Sequence, residues 1–241
     1  MTEVALSFRS VHQCYRASPV LTGVDLTVRA GEFFALVGIN GAGKTTLFKG
    51  MLDLLPLDQG EIRIFGIPHE HVAARCDLVY LPERLTPPGF FLGRDYLGYL
   101  LALHGGSFQR HSAVSLCQAL GLDPAVLDRS IRSCSKGMTQ KLGLAGALLT
   151  GKSLLLLDEP MSALDPLARY LLKEYLLSLR QRGKTLFFST HLLADVEELC
   201  DRMAILHQGR IHFVGTPQEC RALYPGRTLE ESFIRCIGTA R

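Results

Sequence analysis

A glycine-rich stretch, GINGAGKT at residues 38–45, follows directly on the apolar run FFALV. It fits the pattern GxxxxGK[ST] at every position, and its last two residues are Lys44 and Thr45. Glycines let the backbone turn tightly enough for successive N–H groups to converge on phosphate oxygens, and a following helix directs its positive end to the same point. The stretch therefore predicts a buried strand, a phosphate-binding loop and a helix, in that order.

This phosphate loop predicts a bound nucleotide. We expect Lys44 to neutralise charge on the β- and γ-phosphates, and the Thr45 hydroxyl to ligate Mg²⁺. A chance glycine-rich turn would match the pattern too, but the apolar strand before it and the helix after it favour a binding site. The residues expected to contact the nucleotide here are Gly38, Asn40, Gly41, Gly43, Lys44, Thr45 and Thr46.

Two carboxylates end another apolar run, LLLL at residues 154–157. Strands often end in Asp or Glu, so the pair by itself indicates little. In a chain with a phosphate loop, however, Asp158 at the end of a neighbouring strand can hold Mg²⁺ through water, and Glu159 can polarise the attacking water. Side chains alternate along a strand, so we expect the two carboxylates to point in different directions.

A histidine ends the next apolar strand, in the segment STH at residues 189–191. A lone histidine is more often structural than functional. This strand is predicted to lie beside the carboxylate strand, where the His191 ring could donate a hydrogen bond to a γ-phosphate oxygen. The residues by themselves leave both interpretations open.

Strand and helix patterns alternate over most of the chain. Residues 4–8 and 21–28 alternate apolar and polar side chains, which is typical of half-buried strands. Helical patterns dominate residues 85–150, and alternating strands and helices return after them. Strands that alternate with helices of this length predict a mostly parallel sheet covered on both faces. The predicted fold class is therefore α/β, with a helical insertion at residues 85–150.

The composition argues against several classes of protein. Among 241 residues, 47% are hydrophobic and 20% are charged, which indicates a folded globular chain. A net charge of +3 without runs of like charge argues against nucleic acid as a partner. Seven cysteines without CxxC spacing argue against a cysteine metal site and favour reduced thiols in the cytosol. No stretch approaches the ~20 apolar residues that cross a bilayer, so we expect no direct membrane span.

The order of these motifs resembles that of the ATP-binding-cassette (ABC) ATPases over essentially the whole chain. GINGAGKTT is similar to their Walker A motif, LLLLDEP to Walker B with its catalytic glutamate, and STH to the switch-histidine loop. SALDP at residues 162–166 resembles the D-loop, and QGRIHFVGTP at residues 208–217 resembles the closing hairpin. Tyr15 stands where the family has an aromatic residue that stacks on adenine.

The resemblance implies one ABC ATPase domain over residues 1–241. Residues 1–84 and 151–241 would form a P-loop NTPase core with an N-terminal antiparallel β subdomain. Residues 85–150 would form the inserted α-helical subdomain, which carries the signature motif. The implied cofactors are ATP and Mg²⁺. In the same way, the resemblance makes Glu159 and His191 catalytic.

The D-loop and the signature supply further expected contacts to ATP. Asp165 is the expected contact from the D-loop. CSKGM at residues 134–138 stands where LSGGQ is common, and it keeps Ser135 and Gly137. Lys136 replaces a glycine of that motif, and we expect its side chain to point to solvent.

A second departure from the family pattern lies in VYLPERLTPP. Here Glu83 stands where the family's Q-loop usually has glutamine. A carboxylate at this position could still accept a hydrogen bond from water or reach the metal, but it adds charge beside Mg²⁺. We therefore expect Glu83 to take part in catalysis and in metal binding, and an exposed loop carboxylate is the alternative.

Family resemblance also implies a head-to-tail dimer, most simply a homodimer, in which each ATP lies between Walker A of one chain and the signature of the other. A second helix N-terminus over the γ-phosphate would add N–H donors, the Ser135 hydroxyl and dipole charge. SKGM followed by Gln140 resembles the prokaryotic branch that pairs with small separate export permeases. The aromatic residues of the insertion could contact such a permease or pack within the insertion; they are Phe90, Phe91, Tyr96 and Tyr99.

Two functions are compatible with these observations. The first is an ATP-hydrolysing subunit of a membrane exporter, bound through an integral membrane permease to the cytoplasmic side of the inner membrane. The alternative is a soluble single-cassette ABC ATPase that acts as a conformational clamp in macromolecular assembly. The sequence names no transported substrate, because the family places substrate selection in the membrane partner.

Overall fold

The computed structural model describes residues 3–15 and 18–238. Within these residues the strands are β1 (Val4–Tyr15), β2 (Ser18–Arg29), β3 (Phe33–Val37), β4 (Gln59–Ile64), β5 (Ile67–Pro68), β6 (Leu78–Leu81), β7 (Leu154–Asp158), β8 (Thr185–Thr190), β9 (Arg202–His207) and β10 (Arg210–Gly215). The α-helices are α1 (Lys44–Met51), α2 (Gly93–Leu103), α3 (Arg110–Ala119), α4 (Lys136–Leu149), α5 (Pro166–Gln181), α6 (Leu193–Leu199), α7 (Pro217–Leu223) and α8 (Leu229–Gly238). Short 3₁₀ helices span Val72–Arg75, Pro124–Asp128 and Ile131–Ser133.

The smaller of two sheets is antiparallel and has the strand order β2-β1-β4-β5. β1 and β2 pair from Val4 opposite Arg29 to Tyr15 opposite Ser18. Buried and exposed side chains alternate along much of β2, as expected for a sheet with one face on the core. The two N-terminal strands predicted from alternation are confirmed, and both are longer than predicted.

The larger sheet has the order β10-β9-β3-β8-β7-β6, and every neighbouring pair except β10 with β9 is parallel. β3, β7 and β8 are buried at every residue. One face of this sheet packs on the smaller sheet and α1, and the other packs on α4, α5 and α6. The prediction of a mostly parallel α/β sheet covered on both faces is confirmed.

Phe187, in the middle of β8, joins both sheets to α1. Its ring centroid lies 6.2 Å from that of Phe8 on β1 and 5.1 Å from that of Phe48 on α1, with the rings of Phe48 and Phe187 edge to face. Aromatic pairs at these separations stabilise a core beyond the area they bury. The helix that follows the phosphate loop is thereby fixed against the strand that leads to His191.

The helices between β6 and β7 form a layer with an apolar cluster of its own. Its buried members include Tyr96 and Leu97 of α2, Cys117 of α3 and Leu142 of α4. The helices predicted within residues 85–150 are confirmed. Tyr96 packs inside this cluster, which is the second of the two alternatives given for it.

The strand β6 and the helices α7 and α8 are absent from the elements predicted from sequence. β6 has four residues, which is too short to show a period. The start of α7 does carry a signal, because Thr216 and Glu219 form a capping box around Pro217. Its seven residues, however, are too few for helical periodicity to support that signal.

Candidate functional site

The phosphate loop lies between the carboxyl end of β3 and the first residue of α1. Gly43 has φ +110°, and a Cβ there would lie 2.8 Å from Leu21 Cδ2. A Cβ at Gly38 would lie 2.5 Å from the carbonyl oxygen of Leu206. Only glycine fits such close backbone approaches, which explains two of the fixed positions in the motif. The N-terminus of α1 therefore opens at the mouth of a tightly folded loop.

Lys44 folds its side chain back into this mouth. Its Nζ donates a hydrogen bond to the Gly38 carbonyl at 2.6 Å and lies 3.1 Å from Oε1 of Glu159. The side chains of Lys44 and Glu159 are only 7% and 6% exposed. Buried charges need such partners, because the cost of desolvating each ion must be offset. The ammonium is thus held at the mouth of a phosphate-binding loop.

Asp158, the last residue of β7, is held by hydroxyl groups. Thr45 Oγ1 donates to Asp158 Oδ2 at 2.8 Å, and Ser189 Oγ on β8 donates to Asp158 Oδ1 at 2.5 Å. Tyr80 on β6 lies near this carboxylate; burial, and then the negative charge of Asp158, raise the pKa of the Tyr80 phenol. The two predicted metal ligands Thr45 and Asp158 are therefore in direct contact. Ser189 and Tyr80 were not predicted, because their contact depends on the strand order β6-β7-β8.

Glu159 leaves the end of β7 in the left-handed conformation, with φ +48°. Such a backbone costs roughly 1–3 kcal/mol and persists only where its surroundings hold it. Here the Glu159 N–H donates to Ser189 Oγ at 2.9 Å. The Glu159 carboxylate lies between Lys44 and the His191 ring, whose Nδ1 is 2.9 Å from Oε2. Asp158 and Glu159 thus point to different partners, as expected, but the left-handed turn at Glu159 separates them and not the alternation of side chains along β7.

A cleft of about 580 Å³ opens over the phosphate loop. This volume lies within the range of roughly 300–1,000 Å³ typical of small-molecule and cofactor sites. Tyr15, which is 61% exposed, and Glu83 both form part of the cleft wall. The predicted residues that line the cleft are Tyr15, Asn40, Gly41, Gly43, Lys44, Thr45, Thr46, Glu83 and Glu159.

The predicted contacts from the signature and the D-loop do not line this cleft. Ser135 caps α4 by accepting a hydrogen bond from the Met138 N–H at 3.2 Å. Asp165 caps α5 through the Ala168 N–H at 2.9 Å, and that bond holds the pKa of its carboxyl below the usual value. Gly137 lies beside the D-loop, because a Cβ there would be 3.4 Å from a D-loop carbonyl oxygen.

The cleft is also lined by residues that were not predicted as contacts, among them Gln13, Cys14 and Arg84. Gln13 is buried, and its Nε2 donates to the Cys14 carbonyl at 3.2 Å. The Cys14 N–H donates to Asp58, which fixes the end of β1. The pairing of β1 with β2 shifts register between Gln13 and Cys14, so strand alternation gave no signal for these residues.

The residues of the cleft fit a nucleotide with Mg²⁺. The glycine loop, the Lys44 ammonium and the start of α1 provide the positive potential that phosphates require. Among the described residues, no group of three or more His, Cys, Asp or Glu is arranged to hold a metal. Proteins usually bind Mg²⁺ through one or two carboxylates together with phosphates and water. Thr45 and Asp158 provide such a partial set of ligands.

A glycine loop at a strand end, a lysine folded over it and a Thr–Asp pair beside it define a P-loop nucleotide-binding protein. A family model described as ABC transporter matches residues 21–162. The chain belongs to this family, and its antiparallel sheet, parallel core sheet and helices form the ABC ATPase fold.

Curated relatives and a solved structure agree with this assignment. The chain is 39% identical over 202 residues to an uncharacterized ABC transporter ATP-binding protein of Synechocystis, covering 83% of this chain and 57% of the relative. It is 34% identical over 245 residues to the Nod factor export ATP-binding protein I of Paraburkholderia xenovorans, covering 97% and 78%. A solved ATP binding subunit of an ABC transporter superposes with a TM-score of 0.87 at 31% identity, covering 97% and 99%.

The chain spans 57% to 65% of the length of four of its curated relatives. Among the residues that the structure describes, none of the helices has both the length and the hydropathy needed to cross a bilayer.

Proposed function

We propose that this chain is the ATP-binding and ATP-hydrolysing subunit of an ABC exporter, and that it drives a separate membrane permease. One observation carries the proposal. Lys44, Glu159 and His191 form one connected cluster at the mouth of the phosphate loop, and Thr45 is bonded to Asp158, the residue before Glu159. This arrangement supports charge neutralisation, metal binding and water activation around one point.

Nucleotide binding divides between the base and the phosphates. Tyr15 offers an exposed ring at the cleft wall on which adenine would stack. The N–H groups of the loop would hold the phosphates, with Asn40 and Gly41 on its exposed side and Thr46 on α1. Lys44 would exchange its bond to Glu159 for phosphate oxygens.

Thr45 and Asp158 would hold Mg²⁺, the first directly and the second through water. When bound, Mg²⁺ would neutralise charge that develops on the β- and γ-phosphates. Glu83, at the cleft wall, adds a carboxylate that would accept a hydrogen bond from metal-bound water or ligate the ion itself. The Asp158 carboxylate is already oriented for this task by Thr45.

Glu159 and His191 would perform the hydrolytic step. Once Lys44 turns to phosphate, the Glu159 carboxylate is free to polarise water for attack on the γ-phosphate. The Glu159 carboxylate would accept from Nδ1–H and orient the ring, and His191 in its doubly protonated form would donate from the other ring nitrogen to a γ-phosphate oxygen.

The site would be completed by a second copy of the chain. Ser135, Gly137 and Asp165 lie outside the cleft of their own chain, while α4 presents its N-terminus with a capping serine. In a head-to-tail homodimer, this helix end would close over the γ-phosphate bound to the other copy. ATP would then hold the two chains together, and hydrolysis would release them.

Export is the transport direction that the comparisons favour. Relatives at 34% to 38% identity are named Nod factor export ATP-binding protein I. The permease would dock on the helical layer, where Phe90 and Tyr99 are 80% and 56% exposed and Phe91 packs between them. The chain would therefore sit at the cytoplasmic side of the inner membrane. We further propose that residues 1–84 and 151–241 act as the nucleotide-binding core and residues 85–150 as the permease-coupling part.

Glu159→Gln tests the proposal. The variant keeps the size of the side chain but loses its basicity, so we expect it to bind ATP, to hydrolyse it at least 100-fold more slowly and to accumulate an ATP-bound dimer. Phosphate release and light scattering with and without ATP measure these outcomes. Normal turnover would contradict the assigned role of Glu159. Copurification of the wild-type chain without any membrane protein, but with a soluble assembly, would instead support the clamp function.

A further inference from the structure

The hydroxyl group of Ser189 links the two carboxylate residues of the site. We propose that Ser189 is a positioning residue of the ATPase: its hydroxyl sets the orientation of Asp158 for the metal and the backbone of Glu159 for hydrolysis. This inference rests on the proposed function, and it assigns a part of the reaction to a serine for which the sequence analysis gave no role, although it belongs to the STH segment.

The geometry around Ser189 uses its hydroxyl twice. Oγ donates to Asp158 Oδ1 at 2.5 Å and accepts from the Glu159 N–H at 2.9 Å. Ser189 is fully buried, so water has no access to replace either bond. The hydroxyl proton is committed to Asp158, because a hydroxyl has one donor and two acceptor sites. The hydroxyl proton is therefore directed at Asp158, and a lone pair of Oγ is directed at the Glu159 N–H.

Each of these bonds has a consequence for the site. With Oδ1 held by Ser189, Asp158 turns Oδ2 to Thr45, the other expected ligand of the metal. The bond to the Glu159 N–H supports a residue with φ +48°, and that turn brings the carboxylate to Lys44 and away from Asp158. The hydroxyl thus keeps the metal-side and water-side carboxylates apart.

The sheet itself does not depend on this hydroxyl. β7 and β8 pair in parallel from Leu154 opposite Thr185 to Asp158 opposite Ser189. The Glu159 N–H also donates to the Ser189 carbonyl at 3.2 Å, a bond that any residue at this position would keep. Loss of the hydroxyl should therefore loosen the two carboxylates while leaving the strands in place.

The test compares Ser189→Ala with Ser189→Cys and a control. The control is Ser232→Ala, which removes the hydroxyl of an equally buried serine on α8, where it bonds the Thr228 carbonyl. Mn²⁺ binding in the presence of a non-hydrolysable ATP analogue is followed by electron paramagnetic resonance. Binding of the analogue without metal, steady-state hydrolysis and urea unfolding are measured in parallel.

We expect Ser189→Ala to weaken Mn²⁺ binding by about 10- to 100-fold and to lower kcat in the same range, as losses of metal-orienting partners do. Analogue binding without metal should stay at the wild-type value. Ser189→Cys should fall between wild type and Ser189→Ala, because a thiol is a weak donor. Ser232→Ala should match wild type in Mn²⁺ binding and kcat.

Wild-type Mn²⁺ affinity and kcat in Ser189→Ala would overturn the inference, as would a loss of urea stability with no change in either. If Ser189→Ala does not fold, Ser189→Cys against wild type decides by the same criteria. Failure of the proposed function is separate, since it would show as a wild-type chain that does not hydrolyse ATP. The Mn²⁺ measurement requires no hydrolysis and still tests Ser189 in that case.

Discussion

Lys44 and Glu159 form a buried ion pair at the mouth of the phosphate loop. The ammonium and the carboxylate are 3.1 Å apart, and both side chains are buried. Phosphate would replace Glu159 as the partner of Lys44, so the same event that fills the loop would release the carboxylate for water. A single ion pair would in this way couple nucleotide binding to the release of Glu159 as a general base.

The first prediction concerns the stability of this pair. Removing one member of a buried ion pair leaves the other charge uncompensated, so Lys44→Met should lower the free energy of unfolding by about 3 kcal/mol. Adding Glu159→Gln removes the orphaned charge, and the double variant should recover a large part of that loss. Urea unfolding of the four chains of this cycle measures the coupling between Lys44 and Glu159. Strictly additive losses would show that the pair contributes nothing to folding.

At the scale of elements, the N-terminus of α4 carries both a cap and an expected contact to ATP. Ser135→Ala removes the hydroxyl that accepts the Met138 N–H, which should cost about 1 kcal/mol of stability. Thr216→Ala is the matched control, because Thr216 caps α7 through the Glu219 N–H and lies outside the cleft. The two variants should therefore be destabilised to a similar extent.

Their enzymatic behaviour should differ. Ser135→Ala should lower ATP hydrolysis more than tenfold, since it removes a donor to the γ-phosphate of the partner copy, while ATP binding to the monomer stays intact. Thr216→Ala should hydrolyse ATP at the wild-type rate. Loss of ATP binding by monomeric Ser135→Ala would identify Ser135 as a local cap with no contact across a dimer.

The helical layer has a salt link that responds to pH. Asp128, in a 3₁₀ helix, pairs with Arg110 of α3 at 2.6 Å and with Arg94 of α2 at 2.5 Å. Hydrogen bonds from Arg110 and then Arg94 lower the pKa of the Asp128 carboxyl to about 2. The folded pKa lies below the unfolded value of about 3.9. The ion pairs of Asp128 therefore stabilise the folded protein above about pH 3.9, and this stabilisation is lost as the pH falls towards 2.

Asp128→Asn tests this pH dependence. The variant should be less stable than wild type at pH 7, and the difference should be much smaller at pH 2, where about half of the wild-type carboxyl is protonated in the folded protein. Because these side chains are exposed, the difference at pH 7 should be small and should shrink with added salt. Thermal unfolding at both pH values and two salt concentrations measures it. A pH-independent difference would contradict the role of the charge.

The same elements show what the sequence could predict. β3, β7 and β8 were predictable because continuous apolar runs bounded by turns have few other structures available. Lys44, Asp158 and Glu159 were predictable because each belongs to a short sequence pattern that follows a predicted strand. Ser189 and Tyr80 were not, since their contacts with Asp158 arise from the order of β6, β7 and β8 in the sheet. Strand order is a property of the fold and leaves no local pattern.

At the scale of the molecule, the proposed function assigns two incomplete halves of a site to one chain. The cleft over the phosphate loop is lined by residues of the core, while Ser135 and Gly137 lie outside it. No closing motion within the chain is needed if a second copy supplies the missing half. A head-to-tail homodimer does so twice, because each copy gives its signature and receives that of the other.

The last prediction uses this reciprocity. Lys44→Met disables the phosphate loop of a chain, and Ser135→Ala disables its signature, so each variant alone forms dimers with two defective sites. In a mixed dimer, one site combines both substitutions, while the other combines an intact loop with an intact signature. Mixing the two inactive variants should therefore restore part of the ATP hydrolysis, which phosphate release measures. Mixing Lys44→Met with Glu159→Gln is the control, because both residues belong to the same half-site and no intact site can form. Equal recovery in the two mixtures, or none in either, would contradict the head-to-tail arrangement.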